Sequence, residues 1–456
     1  MASTGMTALE KLGASIVAGD RLSPRAREKL KLHVLDTVGA WIAGMGTPEG
    51  QALMRFRRST QRNAADPESL AADVMTHCAT ARLSEIDDIH LASMTTPGAI
   101  VIPSALILAA SREHANSNAL AEAILGGYDA MMRLGLAVQG PAILYRGIWP
   151  TYFGAAFGVA AVAARLMGLT EQQAAHALAF ALTLAAPGVG HHNAATTTRW
   201  LAVGNAARNG ITAARAAQAG FTADLKLLEG RFLPEIYDIT PDLAALTRGL
   251  GQRDVLADVS FKPWCAARQT MAATQALKEI VDSGVPVADI VAIEVGVVPP
   301  HHKMIDHDVT LGDRASHLTS LQYQMASAVL DSAATCDVGR FPVPRAVRAV
   351  MNRIKVTADE NLVARYPKVW PARVLAVTQA GAIHERTVEH VPGDAARAFG
   401  LAEVRAKFRH FAALVLGDEM AGKLAELALA AVDDGGSARL LLQTIEQGSA
   451  GRSGVT

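Results

Sequence analysis

The sequence predicts a mainly α protein, a large all-helical bundle domain with a smaller α+β domain inserted into it. Two observations predict this. From about Leu22 to Leu256 apolar residues recur three and four apart, and Gly168, Gly220 and Gly230 stand where helices stop. After Pro263 the signal changes to short β-branched runs, and from Leu401 onward it is helical again. The economical division is residues 1–262 and 398–456 for the helical domain and 263–397 for the α+β domain.

Each element has its own local reason. Ser23-Pro24 reads as an N-cap and first turn for a helix from Ala26 to Ile42. Ala119–Leu136, Phe153–Met167, Glu171–Leu184 and Val203–Ala219 repeat the helical spacing, with Ala and Gly on several faces that predict close packing. No strand is expected in this half. Ile290–Val298 is a β-branched run stopped by Pro299-Pro300, and Arg353–Thr357, Arg373–Thr378 and Ile383–Val391 read as further strands. Helices are expected between them at Cys265–Ser283 and Ser320–Ala334, and the tail Gly448–Thr456 is expected to be disordered.

Composition narrows the function. Half of the 456 residues are hydrophobic, which suits a globular core. Lys+Arg and Asp+Glu are both 43, so no net charge points to nucleic acid or an anionic membrane. The three cysteines, Cys78, Cys265 and Cys336, are odd in number and far apart. A disulfide framework is therefore not expected, and a reducing compartment is. Met1-Ala-Ser-Thr-Gly-Met shows no signal-peptide pattern, and apolar runs such as Ala155–Ala163 are too short to span a bilayer. The expectation is a cytoplasmic protein.

Chemistry-bearing residues gather at two helix starts. Glu85-Ile-Asp-Asp-Ile-His90 runs into Thr96-Pro97-Gly98, and Arg146-Gly-Ile-Trp149-Pro-Thr151 opens the next apolar helix. Asp87 and Asp88 beside His90 offer carboxylates of split pKa and a base near neutrality. The same cluster reads as an N-cap or a buried hydrogen-bond hub, and both readings stay open. The backbone N–H groups after Thr95-Thr96 suit a carboxylate, as a plain cap would also require. Trp149 packs or lines a pocket. Arg199, following three threonines, either grips a carboxylate or sits at a surface. Lys262 and Arg268, in Lys262-Pro-Trp-Cys265-Ala-Ala-Arg268, add positive charge where the two domains meet in sequence. Cys265 reads as a buried small residue. His301-His302, His307 and His191-His192 match no zinc spacing, so no metal is expected. Phosphate-loop, dinucleotide and nucleophile-elbow motifs are missing from the sequence.

Together these segments resemble the MmgE/PrpD family. The resemblance is carried by Asp87-Asp88-x-His90, Gly127-Tyr-Asp followed by Arg133, and Arg146-Gly-Ile-Trp-Pro-Thr-x-Phe-Gly154. It continues through Gly204-Asn-Ala-Ala-Arg-Asn-Gly210, Lys262-Pro-Trp-Cys and Ser320-Leu-Gln-Tyr323. It implies a helical domain plus a smaller α+β domain, a homodimer, no cofactor, and a site between the domains. The family's activities are 2-methylcitrate dehydration, cis-aconitate decarboxylation and iminodisuccinate epimerisation, all on small polycarboxylates. This chain departs from the family at three places. Thr96-Pro97-Gly98 stands where many members have His-Pro-Ser, Trp149 where they have histidine, and Arg199 where they have lysine. These departures argue against cis-aconitate decarboxylation as such.

The resulting expectation is a cofactor-independent lyase of the dehydratase type. His90 is the base with Asp87 orienting it, and Tyr323 or Lys262 is the acid. Asp88, Thr96, Trp149, Arg199 and Arg268 bind the substrate. An epimerase of a dicarboxylate and a catalytically silent relative are the alternatives.

Overall fold

The structure is a computed structural model that describes residues 5–19, 22–60, 67–112, 117–185, 188, 196–251, 254–330 and 335–450. These divide into two compact units. The first takes the described residues up to 188, those from 197 to 259 and those from 400 onward; the second takes 260–399 with Thr196. As predicted, the protein is mainly α with a smaller α+β part.

The first unit is built from helices whose starts are chemically marked. Ser23 accepts from Ala26 N–H at 3.1 Å and Pro24 occupies the first turn of Pro24–Met45. Thr170 and Gln173 close a capping box ahead of Glu171–Thr183. Gly98–Ala110, Ser117–Ala137, Pro150–Met167 and Thr198–Gln218 follow the apolar spacing, and Pro150–Met167 ends at Gly168 in the left-handed conformation. Leu401–Leu416, Asp418–Ala430 and Gly435–Ala450 belong to this same unit.

Two expectations need correction here. The helix placed at Val203 starts at Thr198, so Arg199 lies in its first turn rather than before it. The threonine run hides this start, because β-branched residues lower helix propensity without forbidding a first turn. Ile89–His90 is extended, and His90 N–H donates to the Thr95 carbonyl at 2.8 Å, in a half where no strand was expected. The segment turns back on itself within six residues, too short for an alternation pattern to show.

Small residues set the helix spacing. A Cβ on Gly204 would lie 2.3 Å from the Met75 carbonyl oxygen of Pro67–Leu83, and one on Gly210 would lie 2.5 Å from the Ala156 carbonyl of Pro150–Met167. The Gly204–Gly210 motif is thus a backbone-contact face that docks Thr198–Gln218 onto two neighbours. Pro150–Met167 is the one described helix long and apolar enough to cross a membrane, and most of it is buried inside the unit.

The second unit holds a four-stranded sheet of β1 (Ile290–Val297), β2 (Ile354–Ala358), β3 (Ala372–Thr378) and β4 (Ile383–Val388) in the order β2-β1-β3-β4. β1 pairs parallel with β2, Ile293 opposite Ile354, and antiparallel with β3, Val295 opposite Val374. β3 and β4 form a hairpin with Leu375 opposite Glu385. Arg268–Asp282 and Leu321–Leu330 pack with the sheet around Met271, Leu277, Val295, Met325 and Val374. The expected end of the second helix, residues 331–334, lies outside the described residues, as do residues 451–456 of the tail expected to be disordered, whereas residues 448–450 of that tail are helical, the last of Gly435–Ala450.

The cysteine expectation is also corrected. Cys265 and Cys336 are disulfide-bonded, with Cα atoms 5.7 Å apart across 71 residues of sequence. Cys265 precedes Arg268–Asp282 and Cys336 follows Leu321–Leu330, and the packing of those two helices brings the thiols together. Sequence separation alone carries no such information. Cys78 is free and buried, and burial pushes its thiol pKa up.

Gly204→Ala is expected to destabilise the helical unit by about 2 kcal/mol, because the methyl must displace backbone rather than a side-chain tip. A denaturant melt that matches wild type would show that these helices slide apart at no cost.

Candidate active site

The 85–98 segment is organised around Asp88, which is fully buried. One carboxylate oxygen accepts the Gly98 N–H at 2.8 Å, at the start of Gly98–Ala110. The other accepts the Tyr128 hydroxyl at 2.6 Å and His33 Nδ1 at 2.8 Å, the ring nitrogen donating because a carboxylate only accepts. A Cβ on Gly98 would fall 2.6 Å from Thr37 Oγ1 and 2.7 Å from both Asp88 and Tyr128, so glycine is required for this junction to close. Burial and the Asp88 charge push the Tyr128 pKa well above its ordinary value. Of the two readings left open for Asp88, the geometry favours the hydrogen-bond hub.

A second buried pair lies beside it. Lys407 Nζ donates to Asp36 at 2.5 Å and to the Ile86 carbonyl at 2.6 Å, tying the last helices to the 85–98 segment. The other Asp36 oxygen meets no donor among the described residues. Burial outweighs the pull of Lys407 and raises the Asp36 pKa from 3.8 to about 6.

The remaining polar residues of this segment face elsewhere. Arg82 bridges Glu85 at 2.9 Å and Asp87 at 3.3 Å. His90 Nδ1 shares a hydrogen bond with Ser93 Oγ at 2.8 Å, and Ser93 Oγ lies 2.7 Å from Thr95 Oγ1. Ser93 thus engages one nitrogen of the imidazole, and Asp87 meets Arg82. Thr96 N–H donates to Thr151 Oγ1 at 3.1 Å, which fastens the segment to the first turn of Pro150–Met167.

At that same turn, Trp149 lies under the guanidinium of Arg199, 4.7 Å from ring centre to Cζ, with Trp200 5.3 Å away on another side. Tyr152 meets Trp149 edge-on at 5.8 Å. Arg199 is 9 % exposed and has no carboxylate partner among the described residues. Burial raises the Tyr152 pKa, while the charges of Arg199 and Arg82 oppose the shift. The fold therefore gathers Asp87, Thr96, Trp149 and Arg199 into one place and adds Arg82 and Tyr152. Sequence reasoning passed over both. Arg82 sits three residues outside the acidic segment, and Tyr152 is a variable position of its motif.

Lys262, Arg268 and Tyr323 belong to the second unit. Lys262 is buried. Arg268 Nη2 donates to Asp394 at 2.6 Å and its guanidinium lies 5.7 Å from the Trp370 ring centre, leaving Nε and Nη1 without partners among the described residues. This geometry makes Arg268 one half of a buried ion pair before any substrate arrives. Tyr323 packs edge-on against His317 at 4.9 Å, and its N–H is capped by Ser320 Oγ. His301 is buried between Tyr366 and Trp370, and burial with the nearby Arg268 charge pushes its pKa down to about 3. Among the described residues no three His, Cys, Asp or Glu side chains converge as metal ligands, and His191-His192 lie outside them.

Residues 14–234 match the MmgE/PrpD N-terminal domain and residues 264–431 match the MmgE/PrpD C-terminal domain. The chain belongs to the MmgE/PrpD family. Several family motifs acquire physical reasons here, since Tyr128 anchors Asp88 and Arg133 joins Asp129 at 2.5 Å to the Arg248 carbonyl at 2.8 Å. The chain is similar to a cis-aconitate decarboxylase of Aspergillus terreus (strain NIH 2624 / FGSC A1156), 27% identical over 243 residues, which cover 50% of this chain and 49% of that protein. A Homo sapiens cis-aconitate decarboxylase is 26% identical over 261 residues, covering 51% and 52% respectively. The chain thus spans about half the length of the curated relatives it matches.

Asp88→Ala is expected to lower stability by about 3 kcal/mol, because three buried donors lose one acceptor together. Chemical denaturation reads this directly, and an unchanged midpoint would remove Asp88 as the hub. Asp36 gives a pH signature. A carboxyl whose folded pKa is raised favours the fold fully below pH 3.8, and that contribution is lost as pH rises through about 6. Relative to Asp36→Asn, wild type is expected to lose about 2 kcal/mol between pH 4 and pH 7. A stability difference that stays flat over this range would mean that Asp36 titrates at its ordinary value.

Proposed function

We propose that this chain is a cofactor-independent lyase of the dehydratase type that acts on a small polycarboxylate. The carrying observation is Arg199. A guanidinium that is largely withdrawn from water, with no carboxylate partner among the described residues, is favourably placed to gain one. A substrate carboxylate supplies the missing partner through two parallel hydrogen bonds, while Trp149 holds the fork flat beneath it.

A carboxylate on Arg199 acidifies its α-carbon, and loss of the α-proton builds enediolate charge that the arginine stabilises. His90, its ring held by Ser93, is the base. Asp87 acts by holding Arg82. Thr96 and Thr151 fix the helix start against which the substrate lies. Lys262, Arg268 and Tyr323 are carried over from the reading of the sequence, and a homodimer from the family resemblance alone. Neither Thr96 nor Trp149 titrates near neutral pH, so decarboxylation of the kind the two relatives' names describe lacks its histidines here.

The test is proton NMR of the protein in deuterium oxide with di- and tricarboxylates, with and without hydroxyl groups. Loss of an α-proton signal together with new vinyl signals is expected. Exchange without vinyl signals would make the protein an epimerase, and no change with any acid would sink the proposal. For the active substrate, Arg199→Met is expected to raise KM by between about 10- and 100-fold, the worth of a charge-assisted pair. A KM that does not move would show that the carboxylate binds elsewhere.

A further inference from the structure

The lyase chemistry above needs a proton donor for the departing hydroxyl, and the helix start at Pro150 offers one that no family motif specifies. Tyr152 is the variable position of Trp149-Pro-Thr-x-Phe-Gly154. Its side chain is 1 % exposed and its hydroxyl makes no hydrogen bond to a described residue. That contrasts with Tyr128, a buried tyrosine of the same unit, whose hydroxyl is fully engaged by Asp88. A hydroxyl that no protein group engages is available to a substrate.

Its surroundings are those of the proposed site. The ring meets Trp149 edge-on at 5.8 Å, and Trp149 carries Arg199 on its face at 4.7 Å. Thr151, the preceding residue, is bonded to Thr96. We propose that, in the dehydration proposed above and resting on it, Tyr152 is the catalytic residue that protonates the leaving hydroxyl.

The step balances as follows. The base takes the α-proton, and the C–H electron pair becomes the carbon–carbon double bond. The carbon–oxygen bond to the β-hydroxyl breaks, its electrons stay on oxygen, and that oxygen takes the Tyr152 proton and leaves as water. The tyrosinate lies near Arg199, whose charge stabilises it until the proton held by the base returns through water. Burial keeps the phenol protonated at neutral pH, so the acid is loaded before each turnover.

Tyr152→Phe keeps the ring and its contact with Trp149, so folding is checked by an unchanged melting temperature. With the hydroxy acid found active, kcat is expected to fall between about 100- and 10,000-fold at near-constant KM. The substrate analogue with fluorine in place of the hydroxyl needs little acid to lose its leaving group, and its turnover is expected to survive the substitution within about threefold. Equal losses on both substrates would make Tyr152 structural and overturn the inference, as would undiminished activity on the hydroxy acid. A wild-type protein that eliminates water from no polycarboxylate would instead overturn the dehydratase function, and this role with it.

Discussion

A buried carboxylate without full compensation is among the more expensive groups a fold can hold, and Asp88 is fully compensated. Three donors from three separate stretches, His33, Gly98 and Tyr128, converge on its two oxygens. Remove it, and the start of Gly98–Ala110 loses its anchor, two helices lose their cross-tie, and the 85–98 segment has nothing to turn around. Lys407, which reaches from the last helices to Asp36 and the Ile86 carbonyl, secures the other side of this segment. Thr96 then joins it to the helix that presents Trp149 and Tyr152. The candidate site is therefore a surface hung on a polar core rather than on an apolar one.

That arrangement explains why acids cluster at 85–90 and why they divide between two networks. Asp88 holds the scaffold. Asp87 and Glu85 neutralise Arg82. Arg199 has no carboxylate partner among the described residues, so a positive charge stands at the edge of the field near Tyr152. A dianionic or trianionic ligand complements that field, whereas a neutral one leaves the charge buried and unpaired.

The fold was largely legible in the chain because its elements announce themselves locally. Ser23-Pro24 and Gly168 mark helix limits, and the β-branched runs at Ile290 and Arg373 emerge as paired strands. What was not legible depends on contacts across long separations. Nothing near Lys407 in sequence indicates a partner 371 residues away, and Cys265 gives no sign of Cys336. The residues of the candidate site at 87–96, 149 and 199 could be picked out by type. Their division of labour could not. Asp88 and Asp87 are adjacent in the chain and point to different networks, and Tyr152 looks like any core aromatic until its hydroxyl is seen to lack the partner that Tyr128 has.

The glycine face of Thr198–Gln218 has a consequence for how such a protein can change its trade. Backbone lies against backbone at Gly204 and Gly210, so the rod bearing Arg199 has almost no room to rotate or shift. Adaptation to a new substrate then cannot proceed by re-aiming the helix. It must proceed by exchanging the side chains that project from helix starts, at 149, 152 and 199, over a chassis that stays fixed. Those are the positions where this chain departs from, or is left free by, its family's pattern, and libraries confined to them would explore new specificity with little risk to the fold.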